Sequence, residues 1–328
     1  MRRKNRYSTM TRMLFSYWHK NVALNYNPIR LWIEATNFCN LKCSMCLNRS
    51  IKIEEKGFME FELFKKIIDE AKDFVYSVNL HHRGESLMHK DLPEMIKYCR
   101  DHKIYSQLHT NATLLTEDKA YKIITSGLNY ISFSFDGYDK KSYESIRIGA
   151  KFEETLGNIT TFLKMKDRLK SKTPYSVCEI IEFEQNKRQD YRHLQNELLS
   201  RKLDKFIIKK PHNWAGAYKI KSDNKAVHKK RNTSHSCTFP WYALVILWDG
   251  TVVICPQDFF GENKVGNVNH APLKEIWNSP SMIQYRKKMK EKKYQEIKTC
   301  EYCDRLQTKR LFGIPTSHLH AFLKEHII

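Results

Sequence analysis

The sequence predicts an α/β protein: a partial, TIM-like (β/α)6 barrel followed by a smaller C-terminal domain containing a β-hairpin and helices. Three observations carry this. Strand-like and helix-like segments alternate six times between residues 30 and 210, the pattern of a parallel sheet with helices outside it. The strand segments place polar residues at every second position, where parallel strands are ordinarily apolar on both faces. From residue 213 the alternation stops.

Taken in order, residues 1–29 are basic and aromatic without clear periodicity and read as an N-terminal arm. Residues 30–36 read as a strand, 59–74 as an amphipathic helix and 77–83 as a strand. A helix follows at 92–103, where Asp91 and Glu94 around Pro93 resemble a capping box. After a strand at 105–111 comes a helix at 117–126, with Thr116 as N-cap and Gly127 at C′. Strand 129–137, helical stretches within 141–169, strand 175–183, helix 190–203 and strand 205–210 complete six units, so 30–212 forms one barrel domain.

In the fourth strand Ile131, Phe133 and Phe135 alternate with Ser132, Ser134 and Asp136; Glu34, Asn79/His81 and Gln107/His109 repeat the pattern. One reading is strand ends reaching solvent. The other is a curved, incompletely closed barrel with a polar lumen that holds ligands near the C-terminal strand ends. In the remaining domain, 213–328, residues 219–236 read as a solvated basic linker carrying Lys225, Lys229, Lys230 and Arg231. A hairpin at 243–255 turns at Asp249-Gly250, and helices follow at 273–278 and 282–292.

The 328 residues carry 57 Lys+Arg against 36 Asp+Glu, a net charge of +21, and nine cysteines. With 41% hydrophobic residues and only 11 Gly and 9 Pro, the composition excludes collagen-like and wholly disordered readings. No apolar run reaches the ~18–20 residues of a membrane span, and no export signal precedes the first strand, so the expectation is a cytoplasmic protein without a membrane partner. In that compartment nine cysteines argue for ligands or catalytic thiols rather than disulfides. The charge points to an anionic partner without choosing one.

Cys39, Cys43 and Cys46 form C-x3-C-x2-C directly after the first strand. Three thiolates suit a four-iron cluster with one open iron; a zinc site completed by His81 or His82 is the alternative. Cys237, Cys255, Cys300 and Cys303 make a complete tetrahedral set for zinc or a second cluster. Cys99 lies on the apolar face of its helix beside Met95 and Ile96, as a core residue. Cys178 alternates on the fifth strand without indicating which face is luminal.

The C-x3-C-x2-C loop resembles the signature of radical S-adenosylmethionine (radical SAM) enzymes. Arg83-Gly84-Glu85-Ser86 stands where that family has G-G-E-P; it departs at the first Gly and at the Pro, which leaves Gly84 and Glu85. Thr110-Asn111-Ala112 resembles the family's T-N-G, and Ser134-Phe135-Asp136-Gly137 its S-x-D-G. The resemblance covers roughly residues 30–210. It implies a [4Fe-4S] cluster held by Cys39, Cys43 and Cys46 with SAM on the open iron. Glu85 then contacts the SAM amino group, Gly84, Asn111, Ser134 and Asp136 line the SAM site, and Met45 packs near adenine. The C-terminal segment, with Cys237-Thr238-Phe239-Pro240-Trp241, Gly266-Asn267 and Leu273-Lys274-Glu275-Ile276-Trp277-Asn278, resembles the shortened SPASM, or twitch, domain, which implies an auxiliary [4Fe-4S] cluster on the four cysteines.

The implied chemistry is a 5′-deoxyadenosyl radical that removes a substrate hydrogen, followed by transfer of an electron to the auxiliary cluster. This is similar to the twitch-bearing 2-deoxy-scyllo-inosamine dehydrogenases. The expected reaction is oxidation of an alcohol carbon in a small molecule: a sugar, aminocyclitol or nucleotide-sugar, phosphorylated or not, with flavodoxin or ferredoxin as reductant. His81, His82, Lys210, His212 and Trp214 are candidate substrate contacts. Three alternatives stand beside it. One is an epimerase in which Cys178 returns a hydrogen atom. Another is a peptide- or protein-modifying enzyme, although thirty residues before the first strand leave no room for a peptide-recognition domain. The third is a zinc-stabilised basic RNA-binding protein, which predicts zinc rather than iron and steeply salt-dependent RNA binding; the charge runs fall in the arm, the linker and the basic helix rather than at the strand ends, so nucleic acid is not the expected partner.

Overall fold

The computed structural model describes residues 2–187, 190–218, 236–307, 310–311 and 314–316. The basic run at Lys225, Lys229, Lys230 and Arg231 lies outside the described residues. Two compact units form: one from 30–211 with 246–250, the other from the described parts of 1–29, 212–245 and 251–328.

Helix α1 (Arg2–His19) belongs to the second of these. The first consists of β1 (Arg30–Ile33), α2 (Phe61–Ala71), β2 (Ser77–Asn79), α3 (Leu92–Asp101), β3 (Tyr105–Thr110), α4 (Glu117–Thr125), β4 (Tyr130–Ser134), α5 (Lys140–Ile146), α6 (Phe152–Arg168), β5 (Tyr175–Ile181), α7 (Arg192–Ser200) and β6 (Lys205–Lys209). The six strands are parallel and lie in the order β6-β5-β4-β3-β2-β1, each connected to the next through one or two helices. This is the partial (β/α)6 barrel. Helix α4 starts on the Thr116 hydroxyl, which accepts from the Lys119 amide, and ends at Gly127 with φ +88°. Asp91 precedes α3 but makes no side-chain cap; the helix starts on Pro93 at its first turn instead.

Register assigns the two faces of the sheet. Phe133 packs edge-on against Phe162 of α6 and Phe135 stacks on Tyr143 of α5, so their side of β4 faces the helices. Paired residues of parallel strands share a face. Ser132 and Ser134 therefore look into the lumen together with His109, Val177 and Glu179. Cys178 pairs with Phe133 and is fully buried in the helical layer.

The second unit contains β7 (Ala243–Ile246, up to Val245), β8 (Thr251–Val253), β9 (Lys264–Asn267), α8 (Leu273–Trp277), α9 (Pro280–Lys290) and α10 (Lys298–Glu301), with β8 and β9 antiparallel. The segment expected as an arm is a helix with an anchored tail. Tyr17 donates to the Ser236 carbonyl (2.8 Å), Tyr26 to the Trp241 carbonyl (3.0 Å) and the Trp277 indole to the Tyr26 carbonyl (2.7 Å). Arg286, fully buried, donates to the carbonyls of Val22, Pro240 and Trp277 and lies 4.3 Å from the Trp277 ring. Amphipathic aromatics and a guanidinium thus satisfy backbone carbonyls of the incoming chain.

Candidate active site

The loop after β1 is folded by its own polar groups. Asn48, buried, donates to the carbonyls of Asn37 and Arg83 (2.7 and 2.8 Å), and the Asn37 side chain bridges Glu55 and Gly57. Gly84 presses on this loop: a Cβ there would overlap the carbonyl oxygens of Thr36 and Phe38, and the next amide, of Glu85, donates to the Phe38 carbonyl at 2.8 Å. Cys39, Cys43 and Cys46 are close enough to act on one another electrostatically. Burial, first of all, pushes the Cys39 thiol up to about 12 and raises Cys46 as well. Half-buried thiols of this kind become thiolates on binding metal.

Around the loop stand three buried charged side chains. The Glu85 carboxylate accepts from the amides of Asn111 (2.7 Å) and Leu87 (3.1 Å) and from the Thr110 hydroxyl (2.8 Å), while burial raises its pKa. Asn111 reaches the Asn40 side chain at 3.1 Å and the Cys39 sulfur at 3.9 Å. Asp136, fully buried, accepts from the Ile181 amide (2.7 Å) and pairs with Arg147. Arg147 extends to the Cys43 sulfur at 3.9 Å and keeps its Nε buried without a hydrogen-bond partner among the described residues. That orphaned donor and the buried Glu85 fit a zwitterionic ligand at the cluster loop.

Gly84, Glu85, Asn111 and Asp136 thus gather around the three cysteines. Met45 is half-buried on the loop, and Ser134 is half-exposed on the luminal face opposite Glu179. Arg147 was not foreseen. Deeper in the lumen, His81 and His109 pack with ring centroids 4.3 Å apart, and His81 Nδ1 accepts from the His109 amide at 3.3 Å. Burial holds His109 at about 3, assisted by the Lys209 charge, which itself pairs with Glu179 at 2.5 Å. Cys178, considered as a hydrogen-atom donor, lies instead on the helix-facing side of β5, paired with Phe133 and fully buried. His212 and Trp214 pack on each other and on Phe259 in the second unit, and Lys210 is exposed. Cys99 is buried in the core, as its helical position suggested.

In the second unit Cys255, Cys300 and Cys303 are buried and Cys237 is half-buried. Burial is the largest cause raising Cys255, Cys300 and Cys303, and other cysteines of the set add to it. Asp258 holds their loops: it accepts from the amides of Glu262 (3.0 Å) and Asn263 (2.8 Å) and from the Thr299 hydroxyl (3.1 Å). A set of four cysteines suits an iron-sulfur cluster.

Residues 33–173 match the radical SAM superfamily, and residues 237–304 match the SPASM iron-sulfur cluster-binding domain. The chain thus carries a radical SAM domain and, C-terminal to it, a SPASM-type domain. It uses SAM with a [4Fe-4S] cluster, and an auxiliary iron-sulfur cluster in the SPASM domain. Radical SAM enzymes of this kind act on small-molecule or peptide substrates and draw on an electron donor.

The relatives of this chain have varied activities. The chain is 36% identical over 110 residues to Fe-coproporphyrin III synthase of Methanosarcina barkeri, a match covering 34% of this chain and only 27% of that relative. It is 25% identical over 324 residues to the tungsten-containing aldehyde ferredoxin oxidoreductase cofactor-modifying protein of Pyrococcus furiosus, covering 85% and 89%. Among solved structures, BtrN in complex with AdoMet and 2-DOIA superposes with TM-score 0.57 at 20% identity over 84% of this chain and 92% of BtrN. Streptococcus suis SuiB bound to precursor peptide SuiA gives 0.65 at 17% identity over 89% and 74%. These identities speak for the fold alone. No helix among the described residues is long and apolar enough to cross a membrane.

Proposed function

We propose that this enzyme oxidises an alcohol carbon of a sugar, aminocyclitol or nucleotide-sugar in the cytoplasm, with flavodoxin or ferredoxin as reductant. When bound, SAM and the first cluster supply the hydrogen-abstracting 5′-deoxyadenosyl radical, and the auxiliary cluster supplies an electron acceptor. In this reading Cys39, Cys43 and Cys46 hold the first cluster, and Cys237, Cys255, Cys300 and Cys303 the second. Glu85 receives the SAM amino group. Gly84, Asn111, Ser134 and Asp136 shape the rest of the SAM pocket, Arg147 fixes Asp136, and Met45 lies beside adenine. The luminal His81, His109 and Glu179 face the substrate and orient the reacting carbon.

The observation that carries the reading is the second cysteine set. Four thiolates complete a tetrahedral site, so a cluster there has no position open to substrate and is left with electron exchange. The burial of Cys178 behind Phe133 supports oxidation over epimerisation, because it denies the lumen that thiol as a hydrogen-atom donor.

The test is anaerobic reconstitution followed by SAM, a reductant and a panel of cyclitols, aminocyclitols and nucleotide-sugars. About eight irons per chain are expected from two four-iron clusters, together with 5′-deoxyadenosine and a product two mass units lighter than its substrate. A Cys300→Ala/Cys303→Ala variant should keep SAM cleavage and lose that product. A product of unchanged mass, or oxidation surviving in the double variant, refutes the proposal.

A further inference from the structure

Tyr285 lies on α9, on the buried side of the helix with Met282, Arg286 and Met289. It is buried, and its hydroxyl sits 3.9 Å from the Cys300 sulfur, within sulfur hydrogen-bond range. Burial first, then the charges of Cys300, Cys255 and Cys237, raise the pKa of this phenol, in keeping with its contact to Cys300. A buried tyrosine hydroxyl ordinarily has a partner, and Cys300 is the one recorded for this residue among those described. In the thiol form either atom could donate. A cysteine that ligates iron has no proton to give, so in the loaded protein the hydroxyl must be the donor.

We propose that Tyr285 is a positioning residue for the auxiliary cluster, donating a hydrogen bond to the Cys300 sulfur that raises the cluster's reduction potential. One-electron reduction adds a negative charge to the iron-sulfur core. An O–H dipole pointed at a ligand sulfur in a buried site stabilises that charge more than the oxidised state, which makes the cluster the better electron acceptor. The inference rests on Cys300 being a ligand of that cluster.

The experiment uses the anaerobically reconstituted full-length holoenzyme and an EPR-monitored redox titration of each cluster. Tyr285→Phe removes only the hydroxyl. The auxiliary midpoint is expected to move to a more negative potential at unchanged iron and sulfide content, while the midpoint of the SAM-binding cluster stays in place. In D2O, the reduced auxiliary cluster of the native enzyme should show a coupled exchangeable deuteron by pulsed EPR. That coupling is read without any variant, so an unstable Phe protein leaves the proposal falsifiable. An unchanged auxiliary midpoint, or a native cluster without the deuteron coupling, overturns it. Failure of the ligand assignment reads differently: a Cys300→Ala protein would then keep its full iron content.

Discussion

The buried ion pair at the mouth of the lumen makes a quantitative prediction. Arg83 Nε and Nη2 donate to the two oxygens of Glu34 at 2.6 Å each, and the Arg83 amide adds a third bond at 3.3 Å. The Glu34 side chain is 0% exposed and that of Arg83 7%. Arg83→Met removes the cation and leaves the carboxylate with its own former amide donor and the Trp248 amide at 3.4 Å. Breaking a buried pair from one side costs about 3–5 kcal/mol, whereas replacing both partners with apolar groups is often close to neutral. At roughly 2–4 °C per kcal/mol for a unit of this size, Arg83→Met should lower Tm by about 6–20 °C. Glu34→Leu/Arg83→Met should recover most of that loss. Scanning calorimetry on the four apo proteins of this double-mutant cycle measures it. A single variant within about 1 kcal/mol of the parent, or strictly additive losses in the double, would refute the reasoning.

Three further expectations concern the sites. Gly84→Ala drives a methyl into the Thr36 and Phe38 carbonyls; it should cost about 1–3 kcal/mol and deplete iron from the first cluster, as seen by iron analysis on a Cys300→Ala/Cys303→Ala background. Asp258→Ala frees two amides and the Thr299 hydroxyl from one carboxylate, so its iron content should fall by about four per chain while SAM cleavage persists. His109 titrates at about 3 in the fold, lowered first by burial, against an ordinary 6.5. The unfolded chain therefore binds a proton below pH 6.5 that the folded chain refuses, and stability present above 6.5 is lost as pH falls towards 3. His109→Gln should flatten the fall of Tm between pH 6.5 and 4; an unchanged slope would show that His109 is not the group responsible.

Much of the barrel is legible because its signals are local. Thr116 and Gly127 punctuate α4, and Ser132, Ser134 and Asp136 alternate with apolar neighbours on β4. The cluster loop announces itself by spacing alone, and Gly84-Glu85, Asn111 and Asp136 fall at successive strand ends, where a parallel sheet brings them together. Other features have no local signal. On β5, Val177, Cys178 and Ile180 are all fully buried, so alternation cannot reveal the face of Cys178; its register with Phe133 does. Arg147 follows a short helix and looks like any surface arginine until the chain folds it back over Asp136. Tyr285 is masked by the lysines of α9, and the packing of residues 1–29 depends on Trp241, Trp277 and Arg286, more than two hundred positions away.

The radical SAM unit also has a piece supplied from far along the chain. Residues 246–250 pack with it: the Glu34 amide donates to the Ile246 carbonyl, and the Trp248 indole covers Gly57 so closely that a Cβ would overlap it. Trp248 and Glu34 are 214 residues apart. At about 5–20 residues per second, a ribosome needs roughly 10–40 s to make that stretch. Until then the barrel lacks the contacts that Ile246 and Trp248 make with Glu34 and Gly57. A chain cut after the sixth strand would therefore lack a side of its own barrel.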